Sequence, residues 1–230
     1  RLQTDVIDLY QMHWPIRGSY MFRQNWTYDP SGQNRQQTMD HMLDVLQALG
    51  DMVKAGKIRS IGMSNESAWG MTKWVDRAEA AGLPRMASVQ NEYSLLCRLY
   101  DTDMAEMAVN EDVTLLSFSP LACGLLTGKY QNGAVPDGSR LSINGELGGR
   151  VTERLWPVVQ AYIDLAAKHG LDPVHMAMAW QRTRPFAVSA IFGATTSEQL
   201  TQILGGKDVV LSDAVIAEID AVHKQHPMPY

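Results

Sequence analysis

Five places in this 230-residue chain put hydrogen-bonding side chains directly after a short apolar run: His13, Ser64 with Asn65, Gln90 with Asn91, residues 117–120, and residues 193–199. The last is the most explicit. Residues 187–192 make a largely apolar run of strand length that stops at Gly193, and Thr196 stands three residues before Gln199, the spacing of a capping box at a helix start. A strand, a tight turn and a helix N-terminus leave amide N–H groups and the positive end of the helix dipole facing outward, an arrangement that holds phosphate. The same residues would equally make an ordinary loop whose hydroxyls only cap the helix. The sequence leaves both readings open.

Regular elements must stand behind these groups. Residues 6–12 read as a buried strand that breaks at His13-Trp14-Pro15. Residues 16–37 form a long aromatic and polar loop, of the kind that is more often functional than filler. A helix follows over about residues 39–54, with Met42, Val45, Leu46, Leu49, Met52 and Val53 on one face and Gly56 placed to end it. Strands over 57–63, 87–91 and 113–117 then alternate with helices over 67–81, closed by Gly82 and Pro84, and 102–110, with Asp101 as N-cap. A second, glycine-rich loop spans 118–150, anchored at its start by Leu121, Leu125 and Leu126. Helices over 152–168 and 173–182 come next, the second capped by Asp172 with Pro173 in its first position. A final helix over 213–224 follows Ser212.

Strands that are each followed by a helix imply parallel pairing with right-handed crossovers, hence an open doubly wound sheet or a (β/α) barrel. No G-x-G-x-x-G follows the first strand, which counts against the dinucleotide-binding open sheet. In a barrel, all the strand ends named above open onto one mouth. Five strands fall about three short of a closed ring. The expectation is therefore a (β/α)8 TIM barrel lacking about its first three β/α units, with residues 1–230 as a single domain.

Composition narrows the class. The chain is 45% hydrophobic and 20% charged, which suits a globular protein with a sizeable core. A net charge of −5 argues against a nucleic-acid partner, and no apolar stretch is long enough to span a membrane. Cys97 and Cys123 stand without metal-ligand spacing among 13 methionines, so no metal site and a reducing, cytoplasmic setting are expected.

Four blocks in order carry a resemblance: residues 5–15 (DVIDLYQMHWP), 56–65 (GKIRSIGMSN), 118–130 (FSPLACGLLTGKY) and 193–200 (GATTSEQL). With these the chain resembles the C-terminal two thirds of an aldo-keto reductase, and within that family the Tas-type branch and the beta subunits of voltage-gated potassium channels. The resemblance implies an NADPH-dependent carbonyl reductase with NADP(H) across the barrel mouth, acting on a small-molecule aldehyde or ketone. It also allows an NADP(H)-binding regulatory subunit with little turnover, and a homo-oligomer.

The family pattern assigns roles residue by residue. His13 matches the active-site histidine beside the hydride donor. Ser64, Asn65 and Gln90 match the residues that hydrogen-bond the nicotinamide carboxamide, and Phe118 the aromatic on which its ring stacks. Ser119, Pro120, Leu121 and Gly124 continue the cofactor site. Lys129 and Arg140 match the cations that meet its phosphates, with Arg140 a candidate for the 2′-phosphate. Gly193, Thr195 and Gln199 match the helix start that holds the adenosine end. Loop 14–37, through Trp14, Tyr20, Phe22, Trp26 and Tyr28, is expected to line the substrate side.

The chain departs from the pattern in two places. Gln202-Ile203 stands where relatives frequently carry Glu-Asn, which puts adenine contacts there in doubt. The family's proton-donating tyrosine, with its lysine and aspartate, belongs to the segment before the fourth strand, so His13 is the single member of that set within residues 1–230. Tyr20, Tyr28 and Tyr93 are expected near the mouth, but none matches the tyrosine's position.

Overall fold

A computed structural model describes residues 3–230 of the chain. Strands β1 (Ile7–Met12), β2 (Ile58–Ser64), β3 (Met86–Glu92), β4 (Thr114–Phe118) and β5 (Val188–Ile191) are hydrogen-bonded neighbours in chain order. β2 runs parallel to both β1 and β3, with Met12 beside Met63 and Ser64 beside Gln90 at the C-terminal ends. That register places the polar residues that follow each strand side by side. The helices are α1 (Arg35–Lys54), α2 (Ala68–Ala81), α3 (Asp103–Glu111), α4 (Arg140–Ile143), α5 (Leu155–Lys168), α6 (Pro173–Gln181), α7 (Ser197–Gly205) and α8 (Asp213–Gln225). The alternation is that of a partial (β/α)8 barrel.

The chain divides into two compact units. The first comprises residues up to Asn91 together with Asp101–Leu116. Here α1 packs on β2 and α2, and α2 packs on α3, around the buried Leu46, Ile61, Met71, Val75 and Val89. α1 starts four residues before its apolar periodicity does, because residues 35–37 are polar and exposed while Asn34 caps the helix by accepting from the Gln37 N–H at 3.0 Å. It ends as expected at Gly56, whose φ of 68° turns the chain so that Gly56 N–H and Lys57 N–H donate to the carbonyls of Val53 and Met52. Within residues 3–230, β1 is the first strand of the order and exposes Ile7 and Tyr10. One expectation fails. α3 begins at Asp103 rather than after an Asp101 cap, with Thr102 at the N-cap making no side-chain capping bond.

The second unit comprises Glu92–Tyr100 and Ser117–Tyr230. α6 is buried on nearly every side and packs on α5 and α7, while α5 packs on α8. Asp172 caps α6 by accepting from the amides of Val174 and His175, and Ser212 caps α8, both as the sequence implies. α5 begins at Leu155, three residues later than expected. The long loop resolves into short 3-10 turns at Ala122–Thr127 and Gln131–Gly133 followed by α4, and it is anchored by the buried Leu125 and Leu126. Tyr93 is not at a mouth. It is fully buried, stacked on Trp180 at 5.0 Å, with Tyr100 and Phe186 against its edges.

Tyr162 of α5 is buried with no hydrogen-bond partner for its hydroxyl, and burial pushes its pKa up. The folded phenol therefore holds its proton more tightly than the unfolded one. Its contribution is complete below about pH 10 and is lost as the pH climbs from there toward the raised folded value. Tyr162→Phe removes the unmet hydroxyl. It is expected to stabilise the protein by about 1 kcal/mol at neutral pH and to flatten the alkaline loss, both measured by urea unfolding at pH 7 and pH 10.5.

Candidate functional site

In the first unit the ends of β1, β2 and β3 converge on Asn65. Its side-chain amide donates to the His13 carbonyl at 2.9 Å and to Ser64 Oγ at 3.1 Å, while its backbone N–H donates to the Gln90 carbonyl at 2.9 Å. Ser64 Oγ in turn donates to that same carbonyl at 2.8 Å, and Ser19 Oγ donates to the Asn65 carbonyl at 2.7 Å. These bonds hold Asn65 in the left-handed region at φ 59°, a conformation that asparagine tolerates better than most residues. Gln90 Nε2 reaches Gln11 Oε1 at 3.2 Å. The structure therefore brings His13, Ser64, Asn65 and Gln90 together through His13's main chain, and the His13 side chain is exposed. One atom of this cluster is unmet: the buried Oδ1 of Asn65 has no hydrogen-bond partner. A buried acceptor left over in a satisfied network is where a ligand N–H would bond.

The residue after Asn65 carries no signal in the sequence. Glu66 is fully buried and its carboxylate is bound by Arg17, whose side chain is also buried. Neither residue type nor spacing marks this pair, because its members lie 49 positions apart. Within loop 14–37, Trp14 packs on Phe22 at 5.5 Å and Tyr20 on Tyr28 at 6.0 Å, with Phe22 and Trp26 exposed.

In the second unit, Phe118 closes β4 and hands over to a loop under unusual backbone constraint. Ser119, Ala122 and Cys123 have φ of 53°, 47° and 59°, and Gly124 and Gly128 are also left-handed. Non-glycine residues there cost about 1–2 kcal/mol each. Burial of Ala122, Leu125 and Leu126 offsets that cost and holds the loop in place. Pro120 is buried, and Leu121 packs against Val174, Met178 and Ile203, next to Phe192 at the end of β5. Leu121 is thus brought to the residues that precede Gly193. Lys129 folds back over Gly124, its Nζ 3.1 Å from where a Cβ on that glycine would lie and 5.0 Å from the Tyr130 ring. The Tyr130 hydroxyl accepts from the Leu141 amide at 3.4 Å, so the residue after Lys129 is tied to the first turn of α4, where Arg140 is exposed.

The β5–α7 turn settles part of the capping question. Thr196 does cap α7, its hydroxyl accepting from Gln199 N–H at 3.3 Å. The reciprocal bond is displaced by one residue: Gln199 Oε1 accepts from the amide of Thr195 at 3.0 Å and from its hydroxyl at 3.2 Å. Gly193, Thr195 and Gln199 are all exposed. Gln202 and Ile203 serve the α6–α7 contact. Gln202 Nε2 donates to Asp172 Oδ2 at 2.9 Å, its carbonyl meets His175 Nε2 at 2.6 Å, and Ile203 is buried against Val174 and Met178.

Residues 1–224 match the Aldo/keto reductase family. The chain belongs to that family. This aldo-keto reductase chain is 42% identical over 232 residues to Protein tas of Escherichia coli (strain K12), covering 100% of the chain and 65% of Protein tas. It is 28% identical over 190 residues to a probable voltage-gated potassium channel subunit beta of Arabidopsis thaliana, covering 80% of the chain and 58% of that protein. The chain thus spans about two thirds or less of the length of these curated relatives. Its fold matches a thermostable aldo-keto reductase solved with the inhibitor epalrestat, at a TM-score of 0.66 and 22% identity, over 96% of this chain and 61% of that one. Among the described residues of this aldo-keto reductase chain, no helix is long and apolar enough to cross a membrane, and no group of three or more His, Cys, Asp or Glu could hold a metal ion.

Proposed function

We propose that this chain belongs to an NADP(H)-dependent oxidoreductase that reduces aldehydes or ketones to alcohols. The observation that carries the reading is the orphaned Oδ1 of Asn65. A carboxamide offers an N–H to such an atom, and the neighbouring Ser64 hydroxyl, already donating to Gln90 O, keeps acceptor capacity for a second one. The residues present therefore fit a nicotinamide carboxamide. Phe118 offers a ring face to the nicotinamide. Ser119, Pro120, Leu121 and Gly124, in the constrained loop after β4, are assigned to the cofactor site. Lys129, held over Gly124, supplies charge there, and Arg140 and the Thr195 region are assigned to the phosphate and adenosine end.

When bound, the cofactor supplies a hydride. His13 is assigned to orient and polarise the substrate carbonyl through its exposed imidazole, while Asn65 fixes the strand end on which it stands. The aromatic residues of loop 14–37 are assigned to the substrate side. Similarity to a channel beta subunit favours a second reading, a nucleotide-sensing subunit with little turnover.

Titration of the full-length protein with NADPH, followed by nicotinamide fluorescence, tests the binding step. Asn65→Leu is expected to weaken binding about tenfold, one hydrogen bond's worth; an unchanged affinity would sink the assignment. NADPH oxidation on addition of 4-nitrobenzaldehyde then separates the readings. Turnover supports the reductase, and tight binding without turnover supports the sensor.

A further inference from the structure

We infer that Arg17 and Glu66 form a positioning pair that locks the loop after His13 onto the strand end bearing Asn65, and so sets the affinity of the nicotinamide end of the cofactor. The inference rests on the assignment of Asn65 to the carboxamide.

The Glu66 carboxylate lies entirely inside the protein, and every acceptor direction it has is used. Arg17 Nη1 donates to Oε2 at 3.1 Å and Arg17 Nη2 to Oε1, the Ser67 amide donates to Oε1 at 2.7 Å, and the Trp74 indole N–H donates to Oε2 at 3.2 Å. The guanidinium has further contacts of its own. Its Nη2 also reaches Ser67 Oγ at 3.1 Å, and its plane lies 5.0 Å from the Trp69 ring. Gln33 holds the Arg17 carbonyl at 3.2 Å and Tyr28 OH at 2.8 Å, so the far end of the loop is drawn into the same knot. There is no slack beside it. A Cβ on Gly70 would collide with Glu66 Oε1 and Arg17 Nη2.

What this pair fixes follows from its neighbours. Glu66 is the residue after Asn65. Arg17 lies between the two loop groups that hold Asn65: the His13 carbonyl, which accepts from its side-chain amide, and Ser19 Oγ, which donates to its carbonyl. Three successive attachments therefore run from residues 13–19 onto residues 65–66, and the ion pair is the only charged one. A buried ion pair is a poor device for stability, because desolvation offsets its attraction and an apolar pair of similar volume does as well. Its advantage is geometry, since a bidentate guanidinium–carboxylate pair admits one register. Here that register fixes where Asn65 Oδ1 and the base of His13 stand relative to each other.

The test compares two ligands on the full-length protein: NADPH, and 2′-phospho-ADP-ribose, which lacks the nicotinamide. Arg17→Met is expected to weaken NADPH binding about tenfold or more while leaving 2′-phospho-ADP-ribose within about twofold, and to speed tryptic cleavage after Arg23 and Arg35. Equal weakening of both ligands means a merely structural role and overturns the inference, as does unchanged binding of both. Should Arg17→Met fail to fold because it leaves Glu66 charged and unpaired, Arg17→Met/Glu66→Gln buries no charge and carries the same comparison. Wild-type protein that binds NADPH no tighter than 2′-phospho-ADP-ribose overturns the Asn65 assignment itself, before any variant is made.

Discussion

Replacing Glu92 by glutamine is expected to lower the stability by about 3–5 kcal/mol, the cost of leaving a buried charge without its partner. Glu92 stands at the end of β3 and takes Arg150 Nε at 2.9 Å and Nη2 at 2.8 Å, with both side chains buried. Arg150 also donates to the Leu147 carbonyl at 2.7 Å, and the Tyr230 hydroxyl donates to Glu92 at 3.3 Å. Burial pulls the Arg150 pKa down, but Glu92 and its other neighbours more than reverse this and leave it raised. A guanidinium is too basic to lose its proton even when buried, so Arg150 stays charged when Glu92 is replaced. The same residues hold the end of the glycine-rich loop and the C-terminal Pro229-Tyr230, whose Pro229 carbonyl accepts from Thr152 Oγ. A urea-unfolding midpoint that barely moves in Glu92→Gln would show that water reaches Arg150. The double variant Glu92→Met/Arg150→Met should recover most of the loss, because it removes both charges together.

Trp180→Ala is expected to cost a similar amount, about 3–5 kcal/mol, by opening a cavity at the largest fully buried side chain among the described residues. The ring stacks on Tyr93 and lies 4.9 Å from the Arg98 guanidinium and 5.3 Å from that of Arg184. The damage should reach the candidate site. Gln181, the next residue, donates to the Tyr93 carbonyl at 3.2 Å and accepts from Ser117 Oγ at 2.5 Å, one residue before Phe118. Thermal unfolding reports the loss of stability, and 2′-phospho-ADP-ribose binding reports the displacement of β4. A destabilised variant with wild-type affinity for that ligand would show that Gln181 holds β4 without help from the ring.

What could be read from the sequence was governed by how local its cause is. Helix α2 was legible because Ser67 and Gly82 sit at its ends with apolar spacing between them, and both act as caps in the structure. The start of α1 was not, since residues 35–37 are polar and only Asn34 announces it. Thr196 capping Gln199 was legible and correct, whereas the return bond from Gln199 to Thr195 depends on a rotamer that the spacing does not fix. Gln202 and Ile203 stood out as a departure from the family pattern, but only the packing of α6 against α7 explains it. The buried pairs were illegible. Arg17 with Glu66, and Glu92 with Arg150, join residues 49 and 58 positions apart, and each residue alone looks like a surface charge. The backbone constraint after β4 was equally hidden, because Ser119, Ala122 and Cys123 are not residue types that advertise a left-handed conformation.

The bond from Gln199 to Thr195 has a consequence for any anion that is to use this turn. The Thr195 amide and hydroxyl are already occupied by a tethered rival, a neutral carboxamide oxygen four residues away on α7. Because it is held on the same short segment, that rival competes at an effective concentration set by the tether rather than by the solution. It must be displaced each time, which lowers the apparent affinity for every anion alike. A ligand group that uses this turn must therefore offer an acceptor strong enough to release Gln199 before it gains the two Thr195 donors.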